Sequence, residues 1–115
     1  MIERAVAIAE TSLGPDHRST GVFLHTLGEM YQQTGDARAR AVLERAAAIQ
    51  EAAQESSGPE VARVYISLAH LDRAQGNLDG AGRYYRRALA VQERALGSTH
   101  AETLQTRQEL EALNR

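Results

Sequence analysis

Apolar residues along this chain recur every three or four positions, and no stretch alternates as a strand would. Phe23, Leu24, Leu27, Met30 and Tyr31 fall on one side of a helix, as do Val61, Val64, Tyr65, Leu68 and Leu71. Leu43, Ala46, Ile49 and Ala53 form a third stripe, and Tyr85, Ala88, Leu89 and Val91 a fourth. Breaks separate the stripes. Leu13-Gly14-Pro15-Asp16 reads as a stop followed by a cap, and Gly35-Asp36 and Gly76-Asn77 each place an N-capping side chain after a C-terminal glycine. Ser57-Gly58-Pro59-Glu60 and Thr99-His100-Ala101-Glu102 fit the capping box. The pattern predicts six helices, over 2–13, 17–34, 37–55, 58–75, 78–96 and 100–113.

The helices repeat. Glu3-Arg4-Ala5-Val6-Ala7-Ile8 returns 41 residues later as Glu44-Arg45-Ala46-Ala47-Ala48-Ile49, and 42 residues after that as Arg86-Arg87-Ala88-Leu89-Ala90-Val91. Leu27-Gly28-Glu29-Met30-Tyr31 through Gly35-Asp36 likewise returns as Leu68-Ala69-His70-Leu71-Asp72 through Gly76-Asn77. A fixed period of this length marks a stacked array of helical hairpins. It implies one repeat domain over 1–115: an unpaired second-type helix at 2–13, one repeat at 17–55, another at 58–96, and a capping helix at 100–113.

Composition narrows the picture. Only 4% of residues are aromatic, so the core must come from close contact between Ala-rich helices. The net charge of −2 gives no pull toward nucleic acid or anionic membrane, and no apolar run is long enough to span a bilayer. Without cysteine there is no thiolate or disulfide chemistry, which fits a cytoplasmic setting. Every basic side chain is Arg.

At these residues the chain resembles the tetratricopeptide repeat family, and within it the longer repeats of the kinesin light chain type. Leu13-Gly14-Pro15-Asp16-His17 and, more loosely, Leu96-Gly97-Ser98-Thr99-His100 match that type's linker. Gly28, Ala69, Ala81 and Ala88 stand at the family's small positions, with Tyr85 as the aromatic between the last two; Asp72 stands where the family prefers an aromatic. The resemblance implies an all-α, right-handed superhelical stack of antiparallel hairpins (an α-solenoid) that binds a partner segment in the concave groove of its first helices. The groove positions it implies are Val22, His25, Thr26, Glu29, Gln32 and Gln33 in the first repeat. In the second they are Arg63, Ile66, Ser67, His70, Arg73 and Ala74, joined by Gln105 and Gln108 from the terminal helix.

Arg63 and Arg73 favour a protein or peptide partner with acidic character. His25, Glu29 and His70 have metal-ligand chemistry, but nothing in the spacing makes them converge, so no metal or cofactor is expected. No nucleophile elbow, phosphate loop or carboxylate pair points to an enzyme. His17 and His100 recur at linkers, where a part in helix entry is the simpler expectation. Arg83, Arg86, Arg87 and Arg94 read as a solvated face rather than a nucleic-acid surface. Two other uses of the fold stay open: self-assembly through an uncovered edge at Ile2, Val6 and Ala9, and service as part of a larger regulatory or signalling protein.

Overall fold

The computed structural model describes residues 18–52 and 59–113. Five helices run through them: α1 (Arg18–Thr34), α2 (Ala39–Ala52), α3 (Pro59–Ala74), α4 (Leu78–Ala95) and α5 (Ala101–Leu113). No strand occurs among the described residues. The chain divides into two compact units, Met1–Glu55 and Ser56–Arg115. The predicted helix at 2–13, with Ile2, Val6 and Ala9, lies outside the described residues, as do Ala53 and the Ser57-Gly58 start of one capping box.

In the first unit α1 packs on α2. Leu24, Leu27, Leu43, Ala46 and Ile49 are buried between them, as their spacing predicts. Met30 departs from its stripe and is 47% exposed. Gly28 is what brings the two helices close: a Cβ there would lie 2.5 Å from Leu43 Cδ2. In the second unit α4 packs on both α3 and α5. Val61, Val64, Tyr65, Leu68 and Leu71 of α3 are all buried, together with Ala81, Tyr85 and Ala88 of α4. Leu89 and Val91 are only half-buried. Asp72, placed where the family prefers an aromatic, is buried at the α3–α4 corner with Gly80 against it. Of α5 only Thr103 and Thr106 are fully buried, which suits a helix with a polar outer side.

Both hairpin turns close in the same way. Gly35 and Gly76 take left-handed backbones at φ 74 and 81, which a residue with a Cβ adopts reluctantly. Asp36 N–H then donates to Tyr31 O, and Asn77 N–H to Asp72 O, satisfying carbonyls that the helix ends leave open. Asn77 Oδ1 accepts from Gly80 N–H at 3.0 Å and caps α4 as predicted. At the terminal helix the sequence expectation needs correcting. The cap is His100, not Thr99: its Nδ1 accepts Glu102 N–H at 3.1 Å, so α5 starts at Ala101.

The first turn contains a further device. Asp36 Oδ1 accepts Arg38 N–H at 2.9 Å, holding Ala37 and Arg38 in a turn and delaying α2 to Ala39 rather than 37. Arg38 folds back, pairing with the Asp36 carboxylate at 2.8 Å and lying 4.4 Å over the Tyr31 ring. The Arg38 side-chain bonds, with its backbone N–H second, lower the Asp36 pKa from 3.8 to about 2. A depressed carboxyl stabilises the fold above its unfolded pKa, and that contribution disappears as pH falls through the folded value. Arg38→Ala is expected to move the Asp36 midpoint up toward 3.8, read by carboxyl-carbon NMR titration. An unmoved midpoint would mean that the side-chain pair has no hold on it.

Candidate functional site

One face of α3 carries polar side chains beside its buried stripe. Arg63, Ile66, His70 and Arg73 follow helical spacing there, with Ile66 and His70 half-buried and the two arginines exposed. Two side chains of α5 meet this row. Arg63 Nε and Nη2 donate to the Glu102 carboxylate at 3.2 and 3.3 Å. Two turns further along, His70 Nε2 lies 3.3 Å from both Glu109 oxygens. Both pairs join residues 39 apart in sequence, so α3 and α5 run in the same direction in fixed register. Between the two rungs is a cleft of about 120 Å³, bounded by Ile66, Gln105 and Thr106 as well as the paired residues, with Gln92 of α4 contributing to its wall.

Beneath His70 the Tyr85 ring meets it edge-on, with centroids 6.0 Å apart. Tyr85 is 0% exposed and its Oη has no hydrogen-bond partner among the described residues. Burial raises the phenol's pKa above 10.0 and Glu109 adds to this. Arg73 pulls the other way, though no atom of it meets the phenol at hydrogen-bonding geometry. Gln92 is 1% exposed, and its Oε1 also lacks a partner among the described residues.

The remaining positions are spread more widely. In the first unit Val22, Thr26, Glu29 and Gln33 are exposed, and His25 and Gln32 half-buried. His25 Nε2 stands 3.7 Å from Glu29 one turn on, and Thr26 Oγ1 donates to the Val22 carbonyl of its own helix. In the second unit Ala74 and Gln108 are exposed outside the cleft lining. Ser67 is 5% exposed, because it falls between Val64 and Leu71 on the buried stripe. No three His, Asp or Glu side chains among the described residues are arranged to hold a metal ion.

Four cleft residues are absent from the sequence expectation: Glu102, Glu109, Gln92 and Thr106. The acids have a signal in hindsight, since their two-turn spacing repeats that of Arg63 and His70. Gln92 has another, because Val91-Gln92 repeats Ile49-Gln50, and Gln50 too is buried with an Oε1 that has no partner among the described residues. The acidic-partner expectation rested on Arg63 and Arg73, and Arg63 is already opposite Glu102. Arg87, read as solvated, lies 5.9 Å over the Tyr65 ring and 5.7 Å over Tyr84.

No helix among the described residues is long and apolar enough to cross a membrane. No curated protein matches the chain. Comparison with protein families matches residues 60–115 to the family described as tetratricopeptide repeat. The match spans α3, α4 and α5, and so contains the whole cleft. Residues 60–115 are therefore similar to the tetratricopeptide repeat family.

Proposed function

We propose that this protein is a non-enzymatic interaction module that binds an extended segment of a partner along the polar face of α3 and α5. Tetratricopeptide repeats mediate protein–protein interactions. The observation that carries the more specific reading is the open cleft between the Arg63–Glu102 and His70–Glu109 rungs. Side chains on this face are held by exposed or half-buried pairs. Such pairs contribute only about 0–1 kcal/mol each, so a ligand can rearrange them at little cost. In the first unit Val22, His25, Thr26, Glu29 and Gln33 hold the repeat positions equivalent to Arg63, Ile66, Ser67, His70 and Ala74. The Leu96-Gly97-Ser98-Thr99-His100 linker favours the kinesin light chain type of repeat.

A short groove supports modest affinity, in the micromolar range of about −8 kcal/mol. Arg63→Glu combined with His70→Glu sets acid against acid on both rungs, rearranges the cleft and is expected to change partner affinity at least tenfold (about 1.4 kcal/mol). Arg94→Glu, on α4 outside the cleft lining, is expected to leave it unchanged. The check is affinity capture from lysate followed by titration of each purified partner. Partners that bind the double variant as tightly as the parent would place the site elsewhere.

A further inference from the structure

We infer that the cleft between α3 and α5 takes a lysine side chain of the bound segment, with its ammonium donating to Gln92 Oε1 and to the Glu109 carboxylate. This rests on the groove reading above and adds the chemistry of the residue recognised.

Three observations lead to it. Gln92 Oε1 is buried with no hydrogen-bond partner among the described residues, and it belongs to a side chain that lines the cleft. A buried acceptor left in this state is costly, and a donor that enters the cleft and shifts the half-buried side chains around this oxygen would remove that cost. The second observation is charge. Arg63 is matched by Glu102, while Glu109 faces a histidine, so the lining sets two carboxylates against one guanidinium. The third is size. About 120 Å³ is roughly four waters' share of liquid volume, well below the few hundred Å³ of a small-molecule pocket. It suits the head of one side chain.

Lysine fits these terms better than the other donors. Its slender stem can run along Ile66, and its compact head offers three donors in any direction. A guanidinium needs a planar array of acceptors, which one amide oxygen beside one carboxylate does not supply. An acidic side chain would meet Glu109 and leave Gln92 Oε1 unpartnered.

The test selects random peptides displayed on phage against the full chain. Enriched peptides are then synthesised with each lysine replaced in turn by norleucine, which keeps the stem and removes the donor. Calorimetric titration is run on the parent protein and on Gln92→Met, which keeps the length and removes the acceptor. The expected result is one lysine position whose norleucine version binds about tenfold more weakly, the worth of about one buried charge-assisted hydrogen bond. Gln92→Met should weaken the lysine peptide by a similar factor and leave the norleucine peptide nearly unaffected. If circular dichroism shows Gln92→Met to be unfolded, Glu109→Gln takes its place against the same two peptides.

Peptides whose binding changes in the Arg63→Glu, His70→Glu variant but is indifferent to norleucine would overturn the lysine assignment alone. So would enrichment of Asp or Glu at the critical position. Failure to select any binder, or binders that ignore the double variant, would remove the groove reading and this inference with it.

Discussion

Tyr85→Ala is expected to lower the stability of the protein by about 3–5 kcal/mol, the range for deleting a buried ring from a packed core. Tyr85 is fully buried in a cluster with Ala69 and Ala81, and Ile66, Tyr84, Leu110 and Leu113 pack against it. These neighbours come from all three helices of the second unit, and both of the buried ones are alanines. Alanine offers no rotamer that could swing into the gap, so the cavity would remain largely open. Set against a typical total of about 5–15 kcal/mol, the loss is large enough to leave much of the chain unfolded at physiological temperature.

Tyr85→Phe is expected to behave in the opposite way. It keeps the ring and removes a buried hydroxyl whose oxygen has no partner among the described residues, so stability should hold or rise by about 1 kcal/mol. The raised phenol pKa gives a second readout. A group whose folded pKa lies above its unfolded value of 10.0 contributes stability that is complete below that value and lost as pH rises through the folded one. The parent should therefore lose stability above pH 10.0 more steeply than Tyr85→Phe, because only the parent must ionise or expose this phenol. Urea unfolding followed by circular dichroism, at neutral and alkaline pH, gives both comparisons. Equal stability of Tyr85→Ala and the parent would remove Tyr85 from the centre of the unit.

The hairpins could be read from the sequence because their determinants are local. Gly35-Asp36 and Gly76-Asn77 fix turns through backbone conformation and a capping atom within three residues, and the structure closes both turns with the same bonds. The α3 stripe could be read because every member from Val61 to Leu71 is buried, on a helix that packs against α4. What could not be read depends on register between helices far apart in sequence. Thr26 and Ser67 hold the same repeat position, yet one is exposed and the other buried, since a small rotation of a helix decides which side of the stripe's edge a residue falls on. The Arg63–Glu102 and His70–Glu109 rungs depend on how α3 and α5 each sit on α4, which periodicity does not fix. His100 is intermediate. Its recurrence pointed to helix entry, but its replacement of Thr99 as the cap follows from where α5 begins.

Leu43→Ala and Gly28→Ala are expected to be strongly non-additive, which tests the contact that closes the first hairpin. Leu43 is 0% exposed, so its truncation alone should remove about 2–5 kcal/mol. Gly28→Ala brings two opposed effects. Alanine in a helix interior is favoured over glycine by about 1 kcal/mol. The new Cβ, however, would lie 2.5 Å from Leu43 Cδ2 and 2.6 Å from Cγ, well inside contact distance, against a side chain with no free volume to retreat into. Overpacking of this kind costs about 1–3 kcal/mol, so the single variant should be neutral to about 2 kcal/mol less stable. Once Leu43 is alanine the obstructing atoms are gone. In that background Gly28→Ala keeps its helix-propensity gain, and its methyl fills part of the space left behind. The double variant should therefore be more stable than Leu43→Ala alone, with a coupling of at least about 1 kcal/mol between the sites. Denaturant midpoints of the four proteins measure it directly. Additive effects would show that α1 and α2 do not meet through Gly28 and Leu43, and the first unit's packing would have to be redrawn around a different pair.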